Sequence, residues 1–362
     1  MAPEEVGDVD LPDVAATMQA WTVSPFRGVG VYLGGSNRTC PQRNLNRSWV
    51  TAVSKMRWRV IPIYMGRQAP CTFRANATEF TASNAASWGT TDAANAVTEA
   101  KKLGMLPGSA IYGDMEHYLA TDSGCRTAVL RYLSSWTKEL HRQGYLAGVY
   151  AHLYSGAKHL SEAFGSTTYA RPDAIARWDN NTALTGWLGV SNAHWANHQR
   201  AKQYRGDHNE THGGVLINID SDRFDAPVAT VAYAYQATAT VNARRGPKLA
   251  NSVARTYSAG ATLQILCQTP GSTVGSTSVW NKLTDGTYVT DYYVSTPSNT
   301  TYSPPLPRCK YPYQVTLSSL NERLGPSASY VIKARLPAGA LAWGLLPDRR
   351  VEGVCDVGVG PA

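Results

Sequence analysis

Two carboxylic acids, Asp114 and Glu116, stand two residues apart at the end of the apolar run SAIYGDME. Residues two apart on a β-strand point to the same side, so the two carboxyl groups are expected to lie close together. Their repulsion is expected to raise one pKa and keep that carboxyl protonated. Glycosidic hydrolysis needs one protonated carboxyl to donate to the leaving oxygen, and one ionised carboxyl to stabilise or attack the sugar cation. The alternative is a pair of surface carboxylates.

Further candidates follow other apolar runs. Asp220 and Asp222 end the run VLINID, and Asp220 is preferred as a third catalytic carboxylate, with a loop-capping role as the alternative. Asp179 follows IARW and is predicted to contact substrate. Aromatic rings stack on the C–H faces of sugars, so several strand aromatics are candidate groove residues, with core packing as the alternative. They are Trp178, Tyr32, Tyr64 and Tyr150.

The histidines and cysteines give no sign of a metal or cofactor. His117, His152, His208 and His212 match no zinc-binding spacing, and no Ser or Cys lies in a nucleophile-elbow context. We therefore predict no metal and no cofactor, and interpret these histidines as polar rim residues. The six cysteines also lack metal-ligand spacing, which favours disulfides in an oxidising compartment; reduced buried thiols are the alternative.

Short apolar runs alternate with helical stretches between residues 30 and 225. Near-continuous apolar strands separated by helices indicate a parallel sheet covered by helices. Seven strands, with an eighth expected near the N-terminus, predict a (β/α)₈ TIM-type barrel over 1–225. An open doubly wound sheet is the alternative, but no Gly-rich nucleotide loop follows the first strand. The predicted strands are 30–35, 59–66, 109–116, 145–153, 173–179, 202–206 and 215–220.

The chain changes character after Asp225. Residues 226–240 are rich in Ala and Thr and are predicted to be a linker. Beyond them an internal repeat with an offset of 79 residues pairs VNARRGP with LNERLGP, and SAGATLQIL with PAGALAWGL. The second copy lacks the Trp-x-Lys-Leu and Tyr-Val-x-Asp elements of the first. We expect a whole small β-barrel over 241–309 and a partial copy over 310–362.

Charge and hydropathy limit the classes of partner. The 362-residue chain carries a net charge of +8, which favours anionic partners such as wall polymers. No Lys/Arg cluster with interleaved aromatics is present, so nucleic acid is not expected. No apolar run is long enough for a membrane span, and the acidic N-terminus is unlike a signal peptide. With the cysteines, this pattern predicts a mature secreted or cell-wall-associated protein, expected to be a monomer.

The first 225 residues resemble the glycoside-hydrolase-like family once called domain of unknown function 1906, exported actinobacterial proteins related in fold to the glycoside hydrolase family 25 lysozymes. The resemblance covers most of residues 15–225. Its motifs are ATMQAW, GVYLGG, WRVIPIYMGRQAPC, YGDMEHY, GVYAHLYS, IARWD, QYRGDHNETHGGV and NIDSD.

The resemblance to the lysozymes implies a role for each of several residues. Glu116 would be the acid and Asp114 its electrostatic partner, while Gln203 and Tyr204 would match a Gln-Tyr pair at the mouth. The family usually opens with a strand bearing Gly-Phe-Asp and then a cysteine, whereas this chain has GDVDLPDV. The first strand is therefore expected to be altered, and Asp8 or Asp10 would have to replace its aspartate.

Residues 235–309 resemble bacterial Src-homology-3-like domains, which are appended to cell-wall hydrolases. The resemblance rests on N-x-R-x-GP, AG-x-x-x-x-I-x-C, V-W-x-K-L and Y-V-x-D-x-Y-V, and it implies binding to the wall or to peptide. A mere spacer is the alternative.

Positions along the chain also suggest disulfide pairs. Cys40 and Cys71 follow adjacent strands and are expected to pair, and Cys267 and Cys309 bracket the first repeat. Cys125 would then lack a partner, and Cys355 is not assigned.

Two functions remain open. The first is a muramidase-like glycosidase acting on peptidoglycan, and the second is a weak or inactive barrel that binds the wall.

Overall fold

The computed structural model describes residues 14–38, 42–315, 319–323, 332–337, 341–345 and 359–361. The chain divides into two units, Met1–Ala232 and Tyr233–Ala362. No helix among the described residues is both long and apolar enough to cross a bilayer.

A seven-stranded curled sheet forms the centre of the first unit, in the order β1 to β7. Neighbouring strands from β1 to β6 are parallel, as the alternation of strands and helices predicts. The sheet has the form of a half-barrel, and the described residues do not show a closed eight-stranded barrel. The expected N-terminal strand, with Asp8 and Asp10, lies outside the described residues. The strands are β1 Gly28–Gly34, β2 Arg59–Tyr64, β3 Ala110–Met115, β4 Leu146–Ala151, β5 Ala174–Trp178, β6 Arg200–His212 and β7 Val215–Asp225.

The last two strands differ from the barrel pattern, because β6 and β7 form an antiparallel hairpin. Only Gly213 and Gly214 join them, and both have positive φ angles, of 57° and 79°. A two-residue turn of this kind matches the twist of an antiparallel pair, whereas a parallel pair needs a crossover of a dozen residues or more. The sequence QYRGDHNETHGGV already contains this Gly-Gly turn signal.

Five α-helices accompany the sheet among the described residues, and two of them begin at side-chain caps. The side chain of Asn46 accepts a hydrogen bond from the Trp49 amide, and that of Asp122 accepts one from the Cys125 amide. Helices α3 and α4 pack closely because α3 is rich in small residues; a Cβ at Gly89 would lie 2.2 Å from the Tyr132 carbonyl oxygen of α4. The helices are α1 Val14–Ala20, α2 Arg47–Lys55, α3 Ala85–Lys102, α4 Ser123–Arg142 and α5 Lys158–Glu162.

Alternation along β3 decides which side chains face the inside of the curled sheet. Gly113 faces the helices, where the Trp136 ring of α4 covers it at 3.0 Å from the position a Cβ would take. Its neighbours Tyr112 and Asp114 therefore face the opposite side, together with Ile61 and Ile63 of β2. The helix packing thus turns the Asp114 carboxyl toward the concave face.

The disulfides confirm one expected pair and correct the other. Cys267 and Cys309 are bonded, as their bracketing of the first repeat predicts. Cys71 is bonded to Cys125, so the expected pairing with Cys40 is wrong, as is the expectation that Cys125 lacks a partner. Adjacent strand ends do not decide the pairing here, because the loop after β2 bends toward the start of α4. Cys40 and Cys355 lie outside the described residues.

The second unit contains a six-stranded antiparallel sheet in the order β10-β9-β13-β12-β11-β8. Residues 226–240, predicted to be a linker, supply its edge strand. The strands are β8 Tyr233–Gln236, β9 Val241–Arg244, β10 Val253–Tyr257, β11 Thr262–Val274, β12 Thr277–Leu283 and β13 Tyr288–Thr290. The assignment of this unit to Src-homology-3-like domains stays a prediction.

The 79-residue repeat is visible in the backbone. β16 Ile332–Pro337 and β17 Leu341–Leu345 begin 79 residues after β10 and β11. The pairing recurs as well, since β9 pairs with β10 and β15 Ser319–Arg323 with β16. Likewise β8 pairs with β11, and β14 Lys310–Val315 with β17. The repeated unit therefore starts near residue 233, before the sequence motifs that reveal it. The remaining strand is β18 Val359–Pro361.

A buried carboxyl lies at the centre of the second unit. Asp291 is fully buried, and its Oδ1 accepts hydrogen bonds from Asn281 (2.7 Å), Thr296 (2.9 Å) and Gln268 (3.1 Å). Its Oδ2 is buried without a hydrogen-bond partner in the described part of the chain. Burial raises the pKa of Asp291 from its ordinary value near 3.8 to about 6. The folded unit therefore holds a proton at this carboxyl more tightly than the unfolded chain does.

Asp291→Asn is expected to remove part of the pH dependence of stability. Between pH 4 and pH 6 the folded state binds more protons at this site, so the free energy of unfolding falls as pH rises, by about 3 kcal/mol in total. The wild-type melting temperature, relative to that of Asp291→Asn, is expected to drop by roughly 10 °C from pH 4 to pH 7 in calorimetry.

Asp285→Asn serves as the matched control for that measurement. Although burial acts to raise the pKa of Asp285, hydrogen bonds from Thr287 hold that pKa below its usual value. The wild type should therefore exceed Asp285→Asn in free energy of unfolding at neutral pH and lose this difference as pH falls. This pH dependence is opposite in sign to that expected for Asp291. If the melting temperatures of wild type and Asp291→Asn changed with pH in parallel, the result would contradict this role of Asp291.

Candidate functional site

Asp114 and Glu116 form a carboxyl pair at the end of β3, and their surroundings differ. Asp114 is buried; its Oδ2 accepts a hydrogen bond from the Tyr32 hydroxyl (3.4 Å), and its Oδ1 has no hydrogen-bond partner among the described residues. Burial first, and the charge of Glu116 second, raise the pKa of Asp114 well above its usual value, and Arg74 opposes the shift. Glu116 has about a third of its side chain exposed and pairs with Arg74 at 3.2 Å.

The raised pKa thus falls on Asp114, whereas the resemblance to the lysozymes gives the acid role to Glu116. Two strongly interacting carboxyls titrate as a pair, so the proton belongs to the pair rather than to one residue. Burial favours the protonated form of Asp114, and the Glu116 carboxyl lies opposite the guanidinium of Arg74. The prediction that Glu116 is the acid stays a prediction.

Gln68, which the sequence reasoning missed, fixes the backbone of this pair. Its side chain is fully buried, donates to the Asp114 carbonyl oxygen (2.9 Å) and accepts from the Glu116 amide (2.8 Å). The two bonds continue the strand-like pairing beyond the end of β2 and hold both carboxyl-bearing residues in one orientation. An uncharged polar residue two positions after the apolar run RVIPIYMG was the available signal.

Tyr150 of β4 links the carboxyl pair to the last two strands. Its hydroxyl donates to Gln203 Oε1 at 2.9 Å. Burial raises the pKa of Tyr150, and the negative charges of Asp114, Glu116 and Asp220 raise it further. The three candidate catalytic carboxyls are therefore near enough to act on one phenol. Tyr150 stays protonated at neutral pH and acts as a hydrogen-bond donor.

Asp220 lies in the same region, held by the backbone of β6. It is buried, and its Oδ1 accepts a hydrogen bond from the Asp207 amide at 2.6 Å. Burial is the main cause that raises its pKa. A Cβ at Gly206 would lie 3.5 Å from Asp220 Oδ1, 3.6 Å from Trp178 Nε1 and 3.8 Å from Gln203 Nε2. The absence of a side chain at Gly206 lets these three groups approach one another.

A small cavity opens beside Asp114 on the concave face. Its volume of about 30 Å³ is enough for one or two water molecules, but not for a sugar ring. Asp222, rather than Asp220, lines it together with Asp114. A substrate would therefore meet the more exposed Glu116 outside this cavity. The remaining lining residues are Tyr32, Ile61, Ile63, Tyr112, Tyr150, Ala176, Ala201 and Phe224.

Two other predicted substrate contacts lie at the end of β5 and directly after it. Trp178, the last residue of β5, is 41% exposed. Asp179 makes ion pairs with Arg177 and with Lys202 (2.9 Å), and both cations are buried. Buried cations need a counter-charge, so the first role of Asp179 is to neutralise them.

Tyr64 does not join the carboxyl pair. Tyr64 faces the helices, where it is buried in the core and lies 6.0 Å from the Trp136 ring, because it alternates with the inward Ile63. Burial raises the pKa of Tyr64 to about 12. Tyr204 is half-buried and lies at a register shift between β6 and β7. The structure thus corrects the placement of Tyr64 at the mouth.

The histidines divide between two places. His117 and His152 follow β3 and β4, and their rings stack at 3.9 Å. His208 and His212 lie on the β6–β7 hairpin, where both contact the carboxylate of Glu210, at 3.0 and 2.9 Å. In the part of the chain that the structure describes, no group of three or more His, Cys, Asp or Glu side chains could hold a metal ion.

The first unit combines a mostly parallel curled sheet with paired carboxyls at the end of β3. The family model described as "Rv2525c-like, glycoside hydrolase-like domain" matches residues 19–224, more than half of the chain, and the chain belongs to this family. No curated protein matches significantly.

Several solved structures are similar to the chain. One is an uncharacterized protein of B. stearothermophilus, with 18% identity, 60% of this chain and 89% of that chain covered, and a TM-score of 0.36. Another is the Tat-secreted protein Rv2525c of Mycobacterium tuberculosis in complex with L-tartrate, with 16% identity, 58% and 92% covered, and a TM-score of 0.40. A third is the modular autolysin LytC of Streptococcus pneumoniae, with 15% identity, 54% and 40% covered, and a TM-score of 0.35.

Proposed function

We propose that the first unit hydrolyses glycosidic bonds of bacterial cell-wall peptidoglycan, with Asp114 and Glu116 as its acid/base pair. The observation that carries this proposal is the unequal environment of the two carboxyls. Asp114 is buried, which raises its pKa, while Glu116 is partly exposed and faces Arg74. Hydrolysis needs one protonated and one ionised carboxyl at the same bond, and unequal surroundings of this kind favour that division of the proton.

Charge and covalent structure support the cell wall as the place of action. The net charge of +8 favours anionic wall polymers over neutral surfaces. Two disulfides favour an oxidising compartment, and hence a secreted or wall-associated protein. The second unit would add wall affinity.

Release of new reducing ends from purified peptidoglycan tests the proposal. The full chain, incubated with insoluble peptidoglycan at pH 5 to 8, is expected to release reducing ends and soluble muropeptides over time. A heat-inactivated sample controls for spontaneous release. Equal release from both samples at every pH would reject hydrolysis of this substrate.

Glycan binding without hydrolysis is the second candidate, and the Arg74–Glu116 ion pair favours it. A carboxylate held by a guanidinium is not available as a proton donor until the pair opens. If the protein only binds, it should sediment with insoluble peptidoglycan while releasing no reducing ends. The two measurements on one sample separate the two functions.

A further inference from the structure

Four aromatic rings form a continuous series along the loops that follow β2, β3 and β4. The ring centroids of Phe73 and His117 are 4.8 Å apart, those of His117 and His152 3.9 Å, and those of His152 and Tyr154 5.7 Å. The two end rings are more than half exposed: Phe73 is 62% exposed and Tyr154 56%. We call these four residues the aromatic ladder. Large aromatic side chains are usually covered in a folded protein, so this exposure calls for a role.

Two residues of the ladder are chain neighbours of the Arg74–Glu116 ion pair. Arg74, next to Phe73 in the chain, makes the ion pair with Glu116, and Glu116 is itself the neighbour of His117. A chain molecule lying along the rings would therefore pass beside Glu116. This continuity favours a ligand that shares the proposed chemistry over an unrelated partner.

The loop that carries Phe73 is held rigidly. The Phe73 amide donates to the His117 carbonyl oxygen (3.0 Å), and the Leu119 amide donates to the Cys71 carbonyl oxygen (3.0 Å). Thr72 pairs with Tyr118 in a β-bridge, and the disulfide joins Cys71 to Cys125 of α4. Rings held in place before binding lose little conformational freedom on contact with a ligand.

We propose that the aromatic ladder is a sugar-binding subsite that holds a pyranose chain of N-acetylhexosamine units alongside Glu116. The partly positive C–H groups on the face of a pyranose match the negative face of an aromatic ring. Imidazole and phenol edges also offer hydrogen-bond partners to hydroxyl and acetamido groups. Burial, together with His117 and Arg177, lowers the pKa of His152, so this ring is neutral at neutral pH and suits an uncharged sugar. This inference rests on the proposed function.

Binding of a soluble N-acetylglucosamine tetramer, measured by calorimetry, tests the ladder. Phe73→Ala and Tyr154→Ala are each expected to weaken binding roughly 5-fold, and the double variant by more, because each removes one stacking ring. Both residues are exposed, so the variants should fold. Phe73→Trp keeps a stacking face and should retain binding.

Val23→Ala is the matched control, since Val23 is 72% exposed on the short helix before β1, at the opposite end of the strand. It should leave the affinity unchanged. No binding by the wild type, or equal affinity of Phe73→Ala, Tyr154→Ala and wild type, would overturn the ladder. If binding depends on the ladder but no reducing ends are released, the ladder is a sugar-binding subsite and the proposed hydrolysis is rejected. If reducing ends are released but the tetramer does not bind, the proposed hydrolysis is supported and the ladder proposal is rejected.

Discussion

Replacing Glu116 with Gln is expected to slow the release of reducing ends from peptidoglycan by about 10²- to 10⁴-fold at pH 7, the usual contribution of a general acid or base. Gln has nearly the shape of Glu but can neither ionise nor donate a carboxyl proton. The change removes the negative charge that the pair presents outside the small cavity. It also removes the partner of Arg74, which lowers stability little because both side chains are about one-third exposed.

A control variant in the same assay separates this loss of catalytic rate from general damage to the fold. Glu99→Gln on α3 is a suitable control because Glu99 forms an exposed ion pair with Lys102 at 2.7 Å, an i,i+3 pair like many on helix surfaces. Glu99→Gln should retain the wild-type rate, and both variants should keep the wild-type melting temperature within a few degrees. Equal rates for Glu116→Gln and wild type would show that the pair does not catalyse.

The alternation of apolar runs and helices was enough to predict the strands that carry the site. β1 to β5 coincide with predicted runs within a few residues, since a buried parallel strand must be apolar on both faces. The hairpin of β6 and β7 was missed because the strands were counted as separate parallel strands, although Gly213-Gly214 allowed only a tight turn. The position of each strand could be predicted from its own residues. Whether two neighbouring strands run parallel or antiparallel depended on the length of the segment that connects them.

The sequence predicted whether two residues of one strand share a face, but not whether that face points to the helices or to the concave side of the sheet. Asp114 and Glu116 were expected on one side of β3 from their spacing alone. Tyr64 looked equivalent to Tyr32, but the first packs under the helices and the second donates to Asp114. Which face of a parallel strand points inward depends on the residues of the neighbouring strands and helices. Both faces of such strands are apolar, so the sequence pattern does not distinguish them.

The contacts that define the electrostatics of the pair come from loops. Arg74 and Gln68 lie after β2, more than 40 residues before Glu116, and nothing in their spacing indicates the contact. The disulfide between Cys71 and Cys125 fixes the same loop, and it too was paired incorrectly from the sequence. Burial is the main cause of the raised pKa of Asp114, and the loop residue Arg74 modifies it through a long-range contact, which is the least visible feature of a single sequence.

Asp114→Asn is expected to lower the hydrolytic rate at pH 7 at least 100-fold while leaving the protein as stable as the wild type or more stable. Asn keeps an oxygen for the Tyr32 hydroxyl but cannot supply a proton. Because burial raises the pKa of Asp114, its ionised form costs folding free energy, and Asn avoids that cost. Rates from the reducing-end assay, with melting temperatures from calorimetry, measure both effects. A loss of activity with equal loss of stability would indicate damage to the fold instead.

Arg74→Gln changes the charge beside the carboxyl pair without altering either carboxyl, and it tests the pair through the pH dependence of hydrolysis. The positive charge of Arg74 opposes the rise in the pKa of Asp114, so its removal should raise that pKa further. The pair would then keep its proton to higher pH, and the alkaline limb of the pH–rate profile should move to higher pH. An unmoved limb, or one moved to lower pH, would mean that the rate does not depend on this proton. Asp114→Asn combined with Arg74→Gln should show no such shift, since the group whose pKa Arg74 controls is gone.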